Sequence, residues 1–294
     1  MVNEVEYKWV NASNDRAFKE VFFKEKNKKL LKLLLEHILK VEIYEIKIIN
    51  NEKERENINI RGMRTDLSLD TNIGYINVEV NSNPEKYVHP RNFSYLSDTY
   101  SHAIKVGKDY NEDIKYIQIN FSYGFMLTEK HKLKKEIIDT EPIRIYKVQD
   151  KEGKEYVKNF TIYEINMDYY LNTWYNKNEK ELEKEKIIVM LGLDKKSLEE
   201  LSKKDKIVGE YMEEINVVNE DPKFREYISY EEDQRKIQNS LLRQAEEQGI
   251  EQGIEQGIDS RNIEIAKNLL SMNMSVDDIT KATGLTKEEI EKLK

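Results

Sequence analysis

The sequence predicts a mixed α/β fold followed by a helical C-terminal region. Residues 65–81 alternate apolar and polar side chains on both sides of a short turn, which is typical of a hairpin of two half-buried strands. Strand-like and helical segments interleave up to about residue 168, and helical patterns alone follow. A sheet whose faces are covered by helices accounts for this order.

The first predicted helix runs from about Asp15 to Leu39, with Ser13 as its N-cap. A strand near Val41–Ile49 follows it and precedes the hairpin. The apolar residues of the helix recur at helical spacing: Phe18, Phe22, Leu30, Leu34 and Ile38.

A turn centred on Asn72–Ile73 sets the register of the hairpin. It pairs Asp70 with Tyr75, Ser68 with Asn77, and Asp66 with Glu79. Since side chains alternate along a strand, one face carries Leu67, Leu69, Ile76, Val78 and Val80, and the other carries Asp66, Ser68, Asn77, Glu79 and Asn81. Like charges opposite each other destabilise a sheet, whereas a divalent cation reverses that sign. An ordinary solvated face is the alternative, and a three-residue loop would separate the pair.

Further elements continue the pattern. Strands are predicted at Lys115–Ser122, Arg144–Val148 and Phe160–Asn166, and later helices at Lys180–Leu191, Leu198–Val217 and Glu231–Glu247. A helix near Arg91–Val106 follows the hairpin; its polar stripe is Arg91, Tyr95, Asp98 and His102, and its packed face is Phe93, Leu96, Tyr100 and Ile104. The polar stripe either faces solvent or brings Arg91 to a phosphate.

Composition excludes several classes of protein. The 294 residues include no cysteine, which excludes disulfides and cysteine zinc sites, and no phosphate loop, dinucleotide-binding glycine motif or serine-hydrolase elbow is present. No long apolar run and no signal peptide are found, so we expect a cytoplasmic protein without a membrane partner. The first 150 residues hold 25 basic and 24 acidic residues, and the others 23 and 32. Contact with nucleic acid therefore requires a local groove in the first half.

The C-terminal region contains a tandem repeat, EQGI three times over residues 247–258. A low-complexity linker is the favoured interpretation, and a glycine-lined helix contact in a homo-oligomer is the alternative. The tail resembles a helix-turn-helix, with Ser275 and Thr286 as predicted N-caps. Its last helix lacks the common base-reading residues, which favours a packing or partner module over sequence-specific DNA reading.

The order Asp66, Glu79 and Asn81 resembles the recombination-promoting nuclease and putative transposase family, a branch of the PD-(D/E)XK nucleases. The resemblance extends upstream to Asp15-x-x-Phe18-Lys19 and downstream to Arg91-x-x-x-Tyr95, and covers about residues 10–165. Asn81 departs from the pattern, because this family usually has Gln there and the wider superfamily has Lys.

The resemblance implies a nuclease core over residues 1–170, before a helical region (171–246), the repeat (247–258) and a small helical tail (259–294). It implies that Asp66 and Glu79 hold Mg²⁺ or Mn²⁺, that Asn81 orients water, and that Asp15 adds an outer ligand or base. Arg91 would bind phosphate, with Tyr95 near the site. DNA would be the substrate, in recombination, mobile elements or phage defence.

Two other classes of function stay open at this point. Because Asn81 is neutral, the chain could instead be a nuclease-fold binding protein with weak or no turnover. It could also be an assembly module, in which the C-terminal helices form an oligomer and the α/β part is a scaffold.

Overall fold

A six-stranded mixed sheet forms the centre of the first part of the chain. The computed structural model describes residues 9–49, 65–82, 87–103, 113–124, 141–176 and 182–293. The strands are β1 (Ile46–Ile49), β2 (Leu67–Thr71), β3 (Gly74–Asn81), β4 (Lys115–Ser122), β5 (Ile143–Gln149) and β6 (Glu155–Asn166). Their spatial order is β1-β2-β3-β4-β6-β5. Strands β3, β4 and β6 run parallel, and the other pairings are antiparallel.

Helices precede, interrupt and follow the sheet. In the described residues they are α1 (Asp15–Phe22), α2 (Lys28–Leu39), α3 (Val88–Ala103), α4 (Met167–Tyr175), α5 (Lys186–Val189), α6 (Lys195–Ser202), α7 (Lys206–Glu220), α8 (Pro222–Ser271), α9 (Val276–Thr283) and α10 (Lys287–Glu291). The mixed α/β prediction is confirmed. The last residues of the helix predicted at 91–106 and the start of the one predicted at 180–191 lie outside the described residues.

The prediction of one continuous first helix is wrong. Helix α1 ends at Phe22, Lys24 has extended backbone angles, and a short 3₁₀ turn precedes α2. The side chain of Asn27 holds this break, because its Nδ2 donates to the carbonyl of Val21 at 2.7 Å. The N-cap of α1 is Asn14, whose Oδ1 accepts from the amide of Ala17 at 3.0 Å, and not Ser13.

The helix predicted at Leu198–Val217 is also divided in two. Helix α6 ends at Ser202, and Asp205 starts α7 by accepting hydrogen bonds from the amides of Ile207 and Val208. Aspartate is a strong N-cap, so Asp205 begins a new helix at a point where the spacing of apolar residues alone predicts one continuous helix.

The predicted hairpin register is confirmed. Ser68 pairs with Asn77 and Asp70 with Tyr75 across a two-residue turn. Gly74 closes the turn with φ of +128°, a conformation that side-chain-bearing residues rarely adopt. Because of this register, Asp66 and Glu79, the residues next to the last ladder pair, lie at the same end of the sheet.

One face of the sheet forms the main apolar core. Its side chains are fully or almost fully buried: Leu67, Leu69, Ile76, Val78, Ile119, Phe121 and Ile165. Helix α1 covers this face, and the ring of Phe18 lies 6.0 Å from the ring of Phe121. Tyr211 of α7 extends the aromatic contact through Phe22, with ring centroids 6.4 Å apart.

The chain divides into two compact units, residues 1–224 and 225–294. In the second unit, α8 continues as helix through residues 247–258, and α9 and α10 pack around Ala266, Ile279 and Ile290. The predicted caps are present, since Ser275 accepts from the amide of Asp278 and Thr286 forms a reciprocal capping box with Glu289. None of the helices in the described part of the chain combines the length and apolar character needed to cross a membrane.

Candidate metal and phosphate site

The second face of the sheet is aromatic at one end of its parallel strands and polar at the other. It begins with the aromatic rings of Tyr75, Tyr116 and Phe160, against which Leu96 and Tyr100 of α3 pack. It ends, at the carboxyl ends of β3, β4 and β6, in a set of buried polar side chains: Glu79, Asn81, Asn120, Ser122, Glu164 and Asn166. The carboxyl ends of parallel strands are where open α/β sheets usually bind ligands.

Asp66 and Glu79 form the centre of this polar end. The backbone amide of Asp66 donates to Oε1 of Glu79 at 2.9 Å. The amide of Val80 donates in turn to Oδ2 of Asp66 at 2.8 Å. Only 7 % of Asp66 and 4 % of Glu79 is exposed, so the polar face is buried at this point and the ordinary solvated face is excluded.

Burial and mutual repulsion make this pair costly without a cation. Loss of solvent, followed by the charge of Asp66, raises the pKa of Glu79 well above its ordinary value. Loss of solvent also raises the pKa of Asp66, although Lys19 opposes the shift. Perturbed carboxyl groups of this kind concentrate at functional sites.

Helices on the two faces of the sheet each bring one cation to this polar end. Lys19 of α1 places its Nζ 3.0 Å from Oδ1 of Asp66. Arg91 of α3 donates from Nη2 to Oδ1 of Asn81 at 3.0 Å. Both cations lower the pKa of Glu79, so the charge of each interacts with the centre of the site. The sequence pattern Asp15-x-x-Phe18-Lys19 contains Lys19 but predicts no role for it.

Asn81 occupies the end of β3 with 3 % exposure. Its Oδ1 accepts from Arg91, whereas its Nδ2 has no hydrogen-bond partner among the described residues. A buried amide donor that lacks a partner is costly, and an approaching water or phosphate oxygen would satisfy it.

The remaining predicted residues, Asp15 and Tyr95, lie on the two helices that flank this centre. Asp15 is half-buried in the first turn of α1, and its charge adds to the raised pKa of Asp66. Tyr95 is half-buried on α3, one turn after Arg91. The role of Tyr95 at the site stays a prediction.

Glu164 on β6 is a candidate site residue that sequence reasoning missed. Its carboxylate accepts from the hydroxyl of Ser122 and, at 2.9 Å, from Nδ2 of Asn120. Asn120 then accepts from Asn92 of α3 at 3.1 Å. Burial raises the pKa of Glu164, and the hydrogen bonds from Ser122 and Asn120 oppose the shift.

A sequence signal for this network exists. The polar residues of β4 alternate, as Gln118, Asn120 and Ser122, within a strand that otherwise reads as apolar. Such alternation places them on one face. The parallel pairing of β4 with β3, which brings Asn120 beside Glu79, is decided only by the fold.

The donor set fits a hard divalent cation. No group of three or more His, Cys, Asp or Glu that could hold a metal is found among the described residues. Mg²⁺, however, needs only one or two protein carboxylates, because it retains waters and takes substrate phosphate oxygens. Asp66 and Glu79 are therefore the residues that could hold such an ion.

Comparison with known proteins assigns the family. A model of the PD-(D/E)XK nuclease family transposases matches residues 12–245, which include every residue of the site described above. No curated protein and no solved structure matches the chain. Since the family match covers well over half of the sequence, the chain belongs to the PD-(D/E)XK nuclease family transposases.

Proposed function

We propose that the protein is a metal-dependent endonuclease that hydrolyses phosphodiester bonds in DNA. The observation that carries this proposal is the buried pair of Asp66, just before β2, and Glu79, near the end of β3, with Lys19 on Asp66 and Arg91 on the neighbouring Asn81. Its biological setting would be recombination, mobile elements or phage defence in the cytoplasm.

Each residue of the candidate site would have its own role in hydrolysis. Asp66 and Glu79 would hold Mg²⁺ or Mn²⁺, which when bound polarises a phosphate oxygen and lowers the pKa of water. Asn81 would orient the attacking water through its unsatisfied Nδ2, and Arg91 would bind a phosphate oxygen. Asp15 would act as an outer ligand or base. One bond forms between the water oxygen and phosphorus, one ester bond breaks, and the water proton ends on the leaving oxygen.

The test is cleavage of plasmid DNA with Mg²⁺ or Mn²⁺ by the parent protein, Asp66→Asn and Glu79→Gln. Asp70→Asn is the matched control, because Asp70 lies on the same hairpin about 13 Å further along β2. Cleavage by the parent and the control, with loss in both site variants, supports the proposal. Equal cleavage by all four proteins would indicate a contaminant and refute the site.

A nuclease-fold binding protein with little turnover is the second candidate function. Asn81 favours it, because a neutral amide cannot supply the positive charge that a lysine provides at this position. Metal binding and DNA binding without cleavage, both weakened by Asp66→Asn, would identify this function.

We also propose that two copies of the chain form a dimer through helix α8. Three isoleucines of this helix, Ile250, Ile254 and Ile258, are each more than half exposed and recur every four residues. No atom lies within 4 Å of a Cβ added at Gly249, Gly253 or Gly257, so a second helix can approach α8 closely there. The mass of the full chain in solution should be twice that of its Ile250→Ser/Ile254→Ser/Ile258→Ser variant. Equal masses would refute the contact.

The division of the chain into a nuclease core over residues 1–170, a helical region, the repeat and a tail also stays a proposal.

A further inference from the structure

Lys19 forms an ion pair with a carboxylate that is almost withdrawn from solvent. Its side chain is 29 % exposed and its partner Asp66 only 10 % exposed, with 3.0 Å between Nζ and Oδ1. Lys26, by comparison, is 61 % exposed and pairs with Glu214 at 2.5 Å. A solvated pair of that kind contributes little to stability, whereas a charge withdrawn from water acts more strongly on its neighbours.

The charges at the end of β3 require a cation that the strand itself does not carry. Two buried carboxylates, those of Asp66 and Glu79, face each other there. The third position of the strand motif is Asn81, which is neutral. Lys19 reaches Asp66 from α1, which packs on the apolar face of the sheet, whereas Arg91 reaches Asn81 from α3, which packs on the other face.

We propose that Lys19 supplies, from helix α1, the positive charge that strand β3 lacks at position 81, and that it directs this charge at the phosphodiester group. The proposal rests on the proposed function and names a further residue for it. An ammonium group has three donors, and the contact with Asp66 uses one of them. The other two can donate to an oxygen of a phosphate group that lies beside Asp66.

A purely structural role for Lys19 gives different results. If the ammonium only holds Asp66 in place, its removal should weaken metal binding as much as catalysis. If it acts on the phosphate, metal affinity should be kept or increased, because a competing cation has left the carboxylate. DNA affinity and cleavage should then fall without a loss of metal binding.

The experiment compares the parent with Lys19→Met, Lys19→Arg and the control Lys26→Met in the full chain. Three quantities are measured: Mn²⁺ affinity by calorimetry, affinity for a DNA duplex in Ca²⁺, and the single-turnover cleavage rate. Lys19→Met should lower the rate by about 10²-fold or more, the usual effect of losing one charge-stabilising donor. It should also weaken duplex binding by about tenfold, with Mn²⁺ affinity not reduced. Lys19→Arg should keep most of both, and Lys26→Met should match the parent.

The outcomes separate this inference from the nuclease function itself. If the parent cleaves DNA and Lys19→Met cleaves equally well, the role of Lys19 is refuted and the nuclease stands. If Lys19→Met loses Mn²⁺ binding together with activity, Lys19 is structural and the inference is also refuted. If the parent binds the duplex without cleaving, the nuclease fails, and selective loss of duplex binding in Lys19→Met still supports the inference. A parent that neither binds nor cleaves DNA overturns both.

Discussion

Arg91 donates from Nη2 to Oδ1 of Asn81 at 3.0 Å and so joins helix α3 to the last residue of β3. The bond holds the guanidinium at the end of the strand, while Nδ2 of the same Asn81 amide has no hydrogen-bond partner among the described residues. This single contact therefore connects the layer that would bind phosphate with the strand that would bind metal.

Arg91→Gln should weaken DNA binding and reduce its salt dependence. If Arg91 contacts one phosphate, its loss should lower the slope of log affinity against log salt by about 1. Binding measured at several salt concentrations gives this slope, and Lys26→Gln serves as the control for loss of a distant charge. A slope equal to that of the parent would place Arg91 away from the phosphate.

Glu79→Gln should stabilise the metal-free protein while it abolishes cleavage. Burial and the charge of Asp66 raise the pKa of Glu79 well above its ordinary value. A buried carboxyl group of this kind therefore destabilises the folded protein near neutral pH. Glutamine retains the Oε1 acceptor that the amide of Asp66 uses. We expect a gain on the order of 1 kcal/mol, or roughly 2–4 °C in Tm for a domain of this size. Thermal melting in EDTA measures it, and a lower Tm than the parent would contradict the argument.

Glu164→Gln should remove part of the pH dependence of stability. Because burial raises the folded pKa of Glu164 above 4.5, the folded state binds more protons than the unfolded state between 4.5 and the raised pKa. The free energy of unfolding of the parent therefore falls as pH rises through this interval, and the decline lies above 4.5. Glutamine has no charge to bury and keeps an acceptor for Asn120.

Urea unfolding of parent and Glu164→Gln at a series of pH values above 4.5 tests this relation. The difference in free energy of unfolding, variant minus parent, should increase as pH rises. A difference that stays constant would mean that Glu164 titrates alike in the folded and unfolded chain.

Gly74→Ala should destabilise the sheet strongly, because the added Cβ would lie 2.1 Å from the carbonyl oxygen of Lys115. Gly153→Ala is a matched control, since Gly153 also has a positive φ but nothing lies within 4 Å of the added atom. We expect a loss on the order of 3 kcal/mol or more at position 74 and about 1 kcal/mol at position 153. Similar losses in the two variants would show that backbone strain, and not the clash, controls this turn.

The hairpin and its pair of neighbouring carboxyl groups could be predicted from the sequence because the information is local. Alternation along β2 and β3 gives the faces, and a two-residue turn gives the register, so Asp66 and Glu79 come together without reference to the rest of the chain. The helical caps of the tail are local in the same sense, since each uses a side chain and an amide three residues apart.

The tertiary structure alone decided what surrounds that pair. Lys19 precedes Asp66 by 47 positions in the sequence, and no periodic pattern relates them; α1 brings them together because its apolar side packs on the sheet. Glu164 enters the site only because β6 pairs in parallel with β4, which in turn pairs with β3. The sequence by itself thus determined the two carboxylates, through local periodicity, whereas the cations and the buried network that set their chemistry depend on long-range packing.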